Sequence, residues 1–175
     1  RAAARAERGG YQGHAGVSAA AGWPRLVAIT DGTLLPIETM LARLTKLAAA
    51  AQPGSLALLL RDHALGARAR LRFGQALQTI ARSHAQALWV ADRLDLAQLL
   101  EADAVHLGER SVTASDARKL LGPACRISRA WHAGSLDGVV AAAELHAVDA
   151  LLVSPILAPR KGRPALGVEP LGGAG

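Results

Sequence analysis

The chain has 175 residues, of which 51% are hydrophobic and 19% charged, and 20 Lys and Arg against 14 Asp and Glu give a formal charge of +6. That composition excludes a disordered chain and allows one domain with a substantial core, since domains usually run to about 100–150 residues. A single cysteine, Cys125, excludes an intramolecular disulfide framework and a CxxC metal site, which on redox grounds points to the cytoplasm, and no apolar run approaches the ~20 residues of a membrane span.

The opening stretch, 1–24, is rich in Ala, Gly and Arg and lacks the continuous apolar run of a secretory signal. It is expected to be a disordered basic leader ahead of one domain over 25–175. Beyond it, short apolar runs alternate with longer segments of helical period, the pattern of parallel strands joined by crossover helices. The first strand is expected at 26–31 (LVAITD) and the first helix at 37–51, after Pro36, which suits a helix start. A second strand over 56–62 (LALLLRD) leads to a helix over 67–83. A third over 87–91 (ALWVA) leads to a helix over 93–101, and a fourth over 104–107 (AVHL) to one over 115–121 that Gly122 and Pro123 end. The fifth strand is expected at 126–130 (RISRA), with a helix over 135–146 that Ser135 caps, and the sixth at 150–155 (ALLVSP). Most of the strands are continuous apolar runs, as when both faces of a sheet are covered. At roughly 25 residues per unit about six units fit, where a closed (β/α)8 barrel takes about 200 residues or more.

The basic residues are scattered, and the few aromatics (Trp23, Trp89, Trp131, Tyr11, Phe73) are not interleaved with them, so no nucleic-acid partner is expected. The polar residues that carry information stand at the strand ends. Asp31, Arg61-Asp62-His63, Asp92-Arg93, Gly108-Glu109-Arg110, His132 and the loop after Pro155 all follow apolar runs. In parallel α/β folds that edge of the sheet binds ligands. Arg61, a planar fork of donors, suits a phosphate clamp, with Asp62 beside it to orient it and His63 as a further donor. Asp92 suits Mg²⁺ as a hard oxygen ligand and equally suits capping the helix that follows, while Glu109 could bring a second carboxylate to the same ion. His132 could move protons or simply pack beside Trp131, and His106, inside a strand, reads as structural. The stretch 154–167 (SPILAPRKGRPALG) holds Arg160, Lys161 and Arg163 on a turn stiffened by Pro and Gly.

Taken together, LVAITD, LLLRDH, WVADRLDLAQLLEADAVHLGE, the strand ending in WH, and SPILAPRKGRPALG resemble thiamine phosphate synthase and its TenI-like relatives. The resemblance covers 26 to about 171. It implies an α/β (β/α)8 TIM barrel, here truncated after about six units. It further implies a transferase that joins hydroxymethylpyrimidine diphosphate to thiazole phosphate and releases pyrophosphate, with Mg²⁺ as cofactor. On that likeness Arg61, His63 and Lys161 bind the diphosphate, and Asp92, with Glu109 as a candidate partner, binds the metal. Leu59, His63, Ala91, Ser111 and Ala130 stand where the family has Gln, Lys, Asn, a second metal-binding carboxylate and Ser. Altered substrate binding is the expectation. A TenI-type thiazole tautomerase using His132 is the alternative, and an inactive phosphate-binding barrel fragment a third reading. Small phosphorylated molecules are the expected partners, with no nucleic acid and no membrane, and open sheet edges would favour a homo-oligomer.

Overall fold

The computed structural model describes residues 22–132, 146–159 and 162–167. Its elements follow in chain order: β1 Leu26–Ile29, α1 Ile37–Ala50, β2 Leu56–Leu60, α2 Ala67–Ser83, β3 Ala87–Ala91, α3 Leu94–Leu99, β4 Ala104–Leu107, α4 Ala114–Leu121, β5 Arg126–Trp131 and β6 Ala150–Val153. The strands form one parallel sheet in the order β1-β2-β3-β4-β5-β6, so each crossover returns the chain beside the strand it left. Six strands in sequential order, with α1 to α4 between β1 and β5, form an α/β half-barrel like part of a (β/α)8 fold. The expected helix over 135–146 and the leader over 1–21 lie outside the described residues, apart from the helical His146.

Strand alternation builds two apolar layers. Leu56, Leu58 and Leu60 of β2, Leu88 and Val90 of β3, and Val105 and Leu107 of β4 pack against the helices in one buried cluster. The helices meet them with stripes spaced four apart: Met40, Leu44 and Ala48 on α1, and Phe73, Leu77 and Ala81 on α2. The alternate residues, Ala57, Leu59, Ala87, Trp89, Ala91 and Ala104, form a second cluster on the opposite face, with Val27 and Leu152 against it. Burying a leucine of the first layer contributes about 1.5–3 kcal/mol. Gln86 is the polar knot beneath the sheet. Its Oε1 accepts from Leu56 N at 3.1 Å and its Nε2 donates to the carbonyls that end α1, of Ala48, Ala51 and Gln52, so burial leaves none of its groups unpaired. Cys125 is buried, and desolvation pushes its thiol up to about 11, which makes it inert rather than reactive.

Several boundaries differ from expectation for local reasons. Helix α4 starts at Ala114, one residue earlier than expected, because Thr113 caps it by accepting from Asp116 N at 3.1 Å; Gly122, at φ +74°, ends it. Helix α3 starts at Leu94 with no side-chain cap, which frees Asp92 for other work. Trp23, within the stretch expected as leader, packs against the sheet. Trp23 meets Trp89 edge-on at 5.9 Å, lies under the Arg126 guanidinium at 4.9 Å, and so covers the N-terminal end of the inner layer. Among the described residues no helix is long and apolar enough to cross a membrane.

Candidate functional site

The C-terminal ends of the strands surround a cleft of about 750 Å³. The register decides what meets there. β1 pairs with β2, and β2 with β3, at the same offset of thirty residues, Ile29 with Leu59 and Ala57 with Ala87. One or two residues beyond the strands, that offset sets Asp31 opposite Arg61 and Asp62 opposite Asp92.

Arg61 lines the cleft, its main-chain N–H donating to Thr30 Oγ1 and its Nη2 to Asp31 Oδ2, each at 3.0 Å. Asp31 is itself fixed, because its Oδ1 accepts from Thr33 N at 3.0 Å and Thr33 Oγ1 at 2.6 Å. Those bonds, with Arg61 adding to them, hold its carboxyl below the usual range. The carboxylate that orients Arg61 is therefore Asp31, not Asp62. Successive strand residues point to opposite sides, and Asp62 turns away into a buried position where its Oδ1 accepts from Gly32 N at 2.5 Å. Its Oδ2 has no hydrogen-bond partner. A Cβ on Gly32 would stand 2.9 Å from Asp62 Oδ1, so glycine is needed there to let the loop after β1 lie on β2.

Asp92 does not cap α3. Its Oδ1 accepts from Gly108 N at 3.0 Å and from Ser111 Oγ, while its Oδ2 lies 3.6 Å from His63 Nε2. His63 is thus brought to the cleft beside Asp92 at the distance of a charge contact rather than of a hydrogen bond. Glu109 goes elsewhere, bonded at 2.5 Å to Arg163 Nη2 across the cleft mouth, and that bond lowers its pKa. Among the described residues no group of three or more His, Cys, Asp or Glu is arranged to hold a metal ion. What remains for a hard cation is the outer oxygen of Asp92. This suits Mg²⁺, which commonly takes one or two protein carboxylates and fills its shell with water and substrate phosphates.

His132 lines the cleft with Nδ1 placed to donate to Ser154 O at 2.6 Å. Lys161 lies outside the described residues, whereas Arg163 of the same loop lines the cleft. His106 is the residue whose place the sequence reading missed. It shares the pleat face of Ala104, so it enters the cleft. There its Nδ1 meets Ser128 Oγ at 2.9 Å, and burial, which the Asp92 charge partly offsets, lowers its pKa. Counting by two from Ala104 would have found it. Leu59, Ala91 and Ala130 also line the cleft, so part of its wall is apolar.

A parallel α/β half-barrel whose cleft at the strand ends is lined by arginines, histidines and the carboxylate of Asp92 has the architecture of the (β/α)8 barrels. The sequence model described as thiamine monophosphate synthase matches residues 26–172, and the chain belongs to that family. It is 37% identical over 114 residues to a thiamine-phosphate synthase of Arthrobacter sp., an overlap covering 63% of this chain and 48% of that one. With a thiamine-phosphate synthase of Albidiferax ferrireducens it shares 39% identity over 111 residues, 63% of this chain and 49% of that one. The chain thus spans about half the length of these curated relatives. A solved thiamine phosphate pyrophosphorylase from Pyrococcus furiosus superposes with a TM-score of 0.63 over 83% of this chain and 66% of that one; at 24% identity it speaks for the fold.

Proposed function

We propose that the chain is a thiamine phosphate synthase-type transferase, binding hydroxymethylpyrimidine diphosphate and thiazole phosphate and releasing pyrophosphate. The observation that carries this reading is the meeting of Arg61, His63 and Asp92 from neighbouring strand ends in one cleft. In such a transfer the bond between the pyrimidine methylene and the diphosphate oxygen breaks, with the electron pair leaving on pyrophosphate. The thiazole nitrogen then donates its lone pair to the methylene carbon. No protein nucleophile is needed; the protein supplies positioning and charge neutralisation. Arg61, held by Asp31, offers its fork to the diphosphate, with His63, Arg163 and Lys161 as further cationic or donor groups. Asp92 would hold Mg²⁺, with Glu109 engaged by Arg163 instead, and the ion when bound adds positive charge at the leaving group. Leu59, Ala91 and Ala130 leave an apolar wall suited to the flat pyrimidine. A single buried cysteine fits a reducing compartment, and we infer a cytoplasmic location. The tautomerase alternative rests on His132 and on the departures at Ala91 and Ser111, and the curated relatives are named as synthases.

The test is calorimetric titration with the pyrimidine diphosphate in Mg²⁺ and again in EDTA. Binding is expected in Mg²⁺ and weakened by EDTA. Asp92→Asn should remove most of the Mg²⁺-dependent gain in affinity, because it takes away the charged oxygen that would hold the ion. Equal binding in both buffers by a folded chain would remove the metal–diphosphate reading, and tautomerisation that His132→Ala abolishes would replace it.

A further inference from the structure

Arg70, on α2, is an arginine buried to 4% exposure that does not line the cleft. Burying a guanidinium is costly unless it has a specific partner. Burial pulls its pKa down, the Arg93 charge adds to this, and the carboxylates of Asp92, Asp62 and Asp95 oppose both. Its Nη2 donates to the carbonyl of Ala91 at 2.9 Å. That same carbonyl accepts from Arg93 N at 2.7 Å and so closes a three-residue turn around Asp92. Asp92 has φ +63°, a left-handed conformation uncommon outside glycine that Asp enters more readily than most residues, and its neighbours must hold it there. From the β4 side the turn is held by Asp92 N donating to His106 O at 2.9 Å and by Gly108 N on the carboxylate. From the helix side the bond to Ala91 O is made by Arg70.

We propose that Arg70 is a positioning residue for Asp92: its buried guanidinium braces the Ala91 carbonyl and thereby fixes the backbone turn that presents the Asp92 carboxylate to a metal–diphosphate ligand. This rests on the reading of Asp92 given above, and it adds a determinant from the helix layer to a site otherwise made of strand ends and loops. The brace acts through the backbone, so its loss changes the metal-dependent share of binding and leaves the share carried by Arg61.

The experiment titrates inorganic pyrophosphate into the full chain, in Mg²⁺ and in EDTA, for wild type, Asp92→Asn, Arg70→Met and Arg70→Lys. Arg70→Met, which keeps volume but loses charge and donors, is expected to lose about tenfold or more of the Mg²⁺-dependent affinity, as losses of groups that orient a metal ligand do. Its metal-free binding is expected to match wild type. Arg70→Lys, which restores a charged donor, is expected to recover most of the loss. Amide exchange at Arg93 should quicken in Arg70→Met, while the amides of α1 and α4 keep their wild-type rates. Where Arg70→Met does not unfold cooperatively, Arg70→Gln, polar but shorter, is read in the same way. A folded Arg70→Met with wild-type Mg²⁺-dependent affinity and Arg93 exchange, beside an Asp92→Asn that has lost that affinity, overturns this proposal alone. A wild type whose binding ignores Mg²⁺ overturns the reading of Asp92 and this proposal with it.

Discussion

Asp92 shares one carboxylate oxygen with the Ser111 hydroxyl, at the position where the family resemblance expects a second carboxylate. The hydroxyl satisfies Asp92 without adding charge, so on the proposed reading the site would offer a cation one formal negative charge where the resemblance implies two. Ser111→Asp should reverse that balance. In EDTA two carboxylates at one site repel, and the melting temperature should fall by about 2–4 °C for each kcal/mol of repulsion. In Mg²⁺ the loss should be recovered, so the rise on adding the ion exceeds that of wild type. Equal rises in thermal melts of the two proteins would show that residue 111 does not address the cation. His106 gives a second prediction at this scale. Burial depresses its pKa in the folded state, so the unfolded chain binds the proton more readily. Its contribution to stability is therefore complete above the unfolded value of about 6.5 and is lost as pH falls through the folded one. His106→Asn, which cannot titrate but can still meet Ser128, should flatten the fall in urea midpoint between about pH 7.5 and about pH 5.5 relative to wild type. Parallel curves would place the pH dependence elsewhere.

At the scale of elements, α2 lies close against its neighbours at Gly74. A Cβ there would stand 3.0 Å from Leu60 Cδ2 of β2 and closer still to Leu100 Cδ1, which follows α3. Gly74→Ala gains helix propensity of about 0.5–1 kcal/mol but overpacks the layer at a typical cost of about 1–3 kcal/mol. A net loss is expected in urea unfolding, and Leu100→Val should restore part of it. A Gly74→Ala chain as stable as wild type would mean that Leu100 turns aside without cost. The helices and strands themselves were legible from sequence, because apolar runs and stripes spaced four apart repeat along the chain. The cleft was legible as a set of strand ends, and Arg61, His63, Asp92 and His132 do meet there. What sequence could not supply was the offset between strands. The thirty-residue register pairs Arg61 with Asp31 and sets Asp62 against Gly32, and nothing local in RDH names those partners. Likewise Glu109 could be placed on a loop, but its partner, Arg163, comes from 54 residues further along the chain.

At the scale of the whole molecule, the sheet is open among the described residues. β1 and β6 each pair with one neighbour, and both carry exposed leucines, Leu26 at 51% and Leu151 at 43%. The central strands β2 and β3 are buried along their whole length, so the free hydrogen-bonding edges and the least covered apolar strand residues coincide. Unpaired edges with apolar side chains template association with another chain, and natural proteins usually blunt them with charge. The +6 formal charge opposes this only at long range, because salt screens it over about 8 Å at physiological ionic strength. Self-association that rises with protein concentration and persists in salt is therefore expected in sedimentation velocity. A lysine at an edge position acts locally, where screening is weak. Leu26→Lys with Leu151→Lys should shift the chain toward monomer while leaving the circular dichroism of the buried β2 to β5 core unchanged. A chain that sediments as one non-associating species at every concentration, with or without these lysines, would show that other contacts cover both edges.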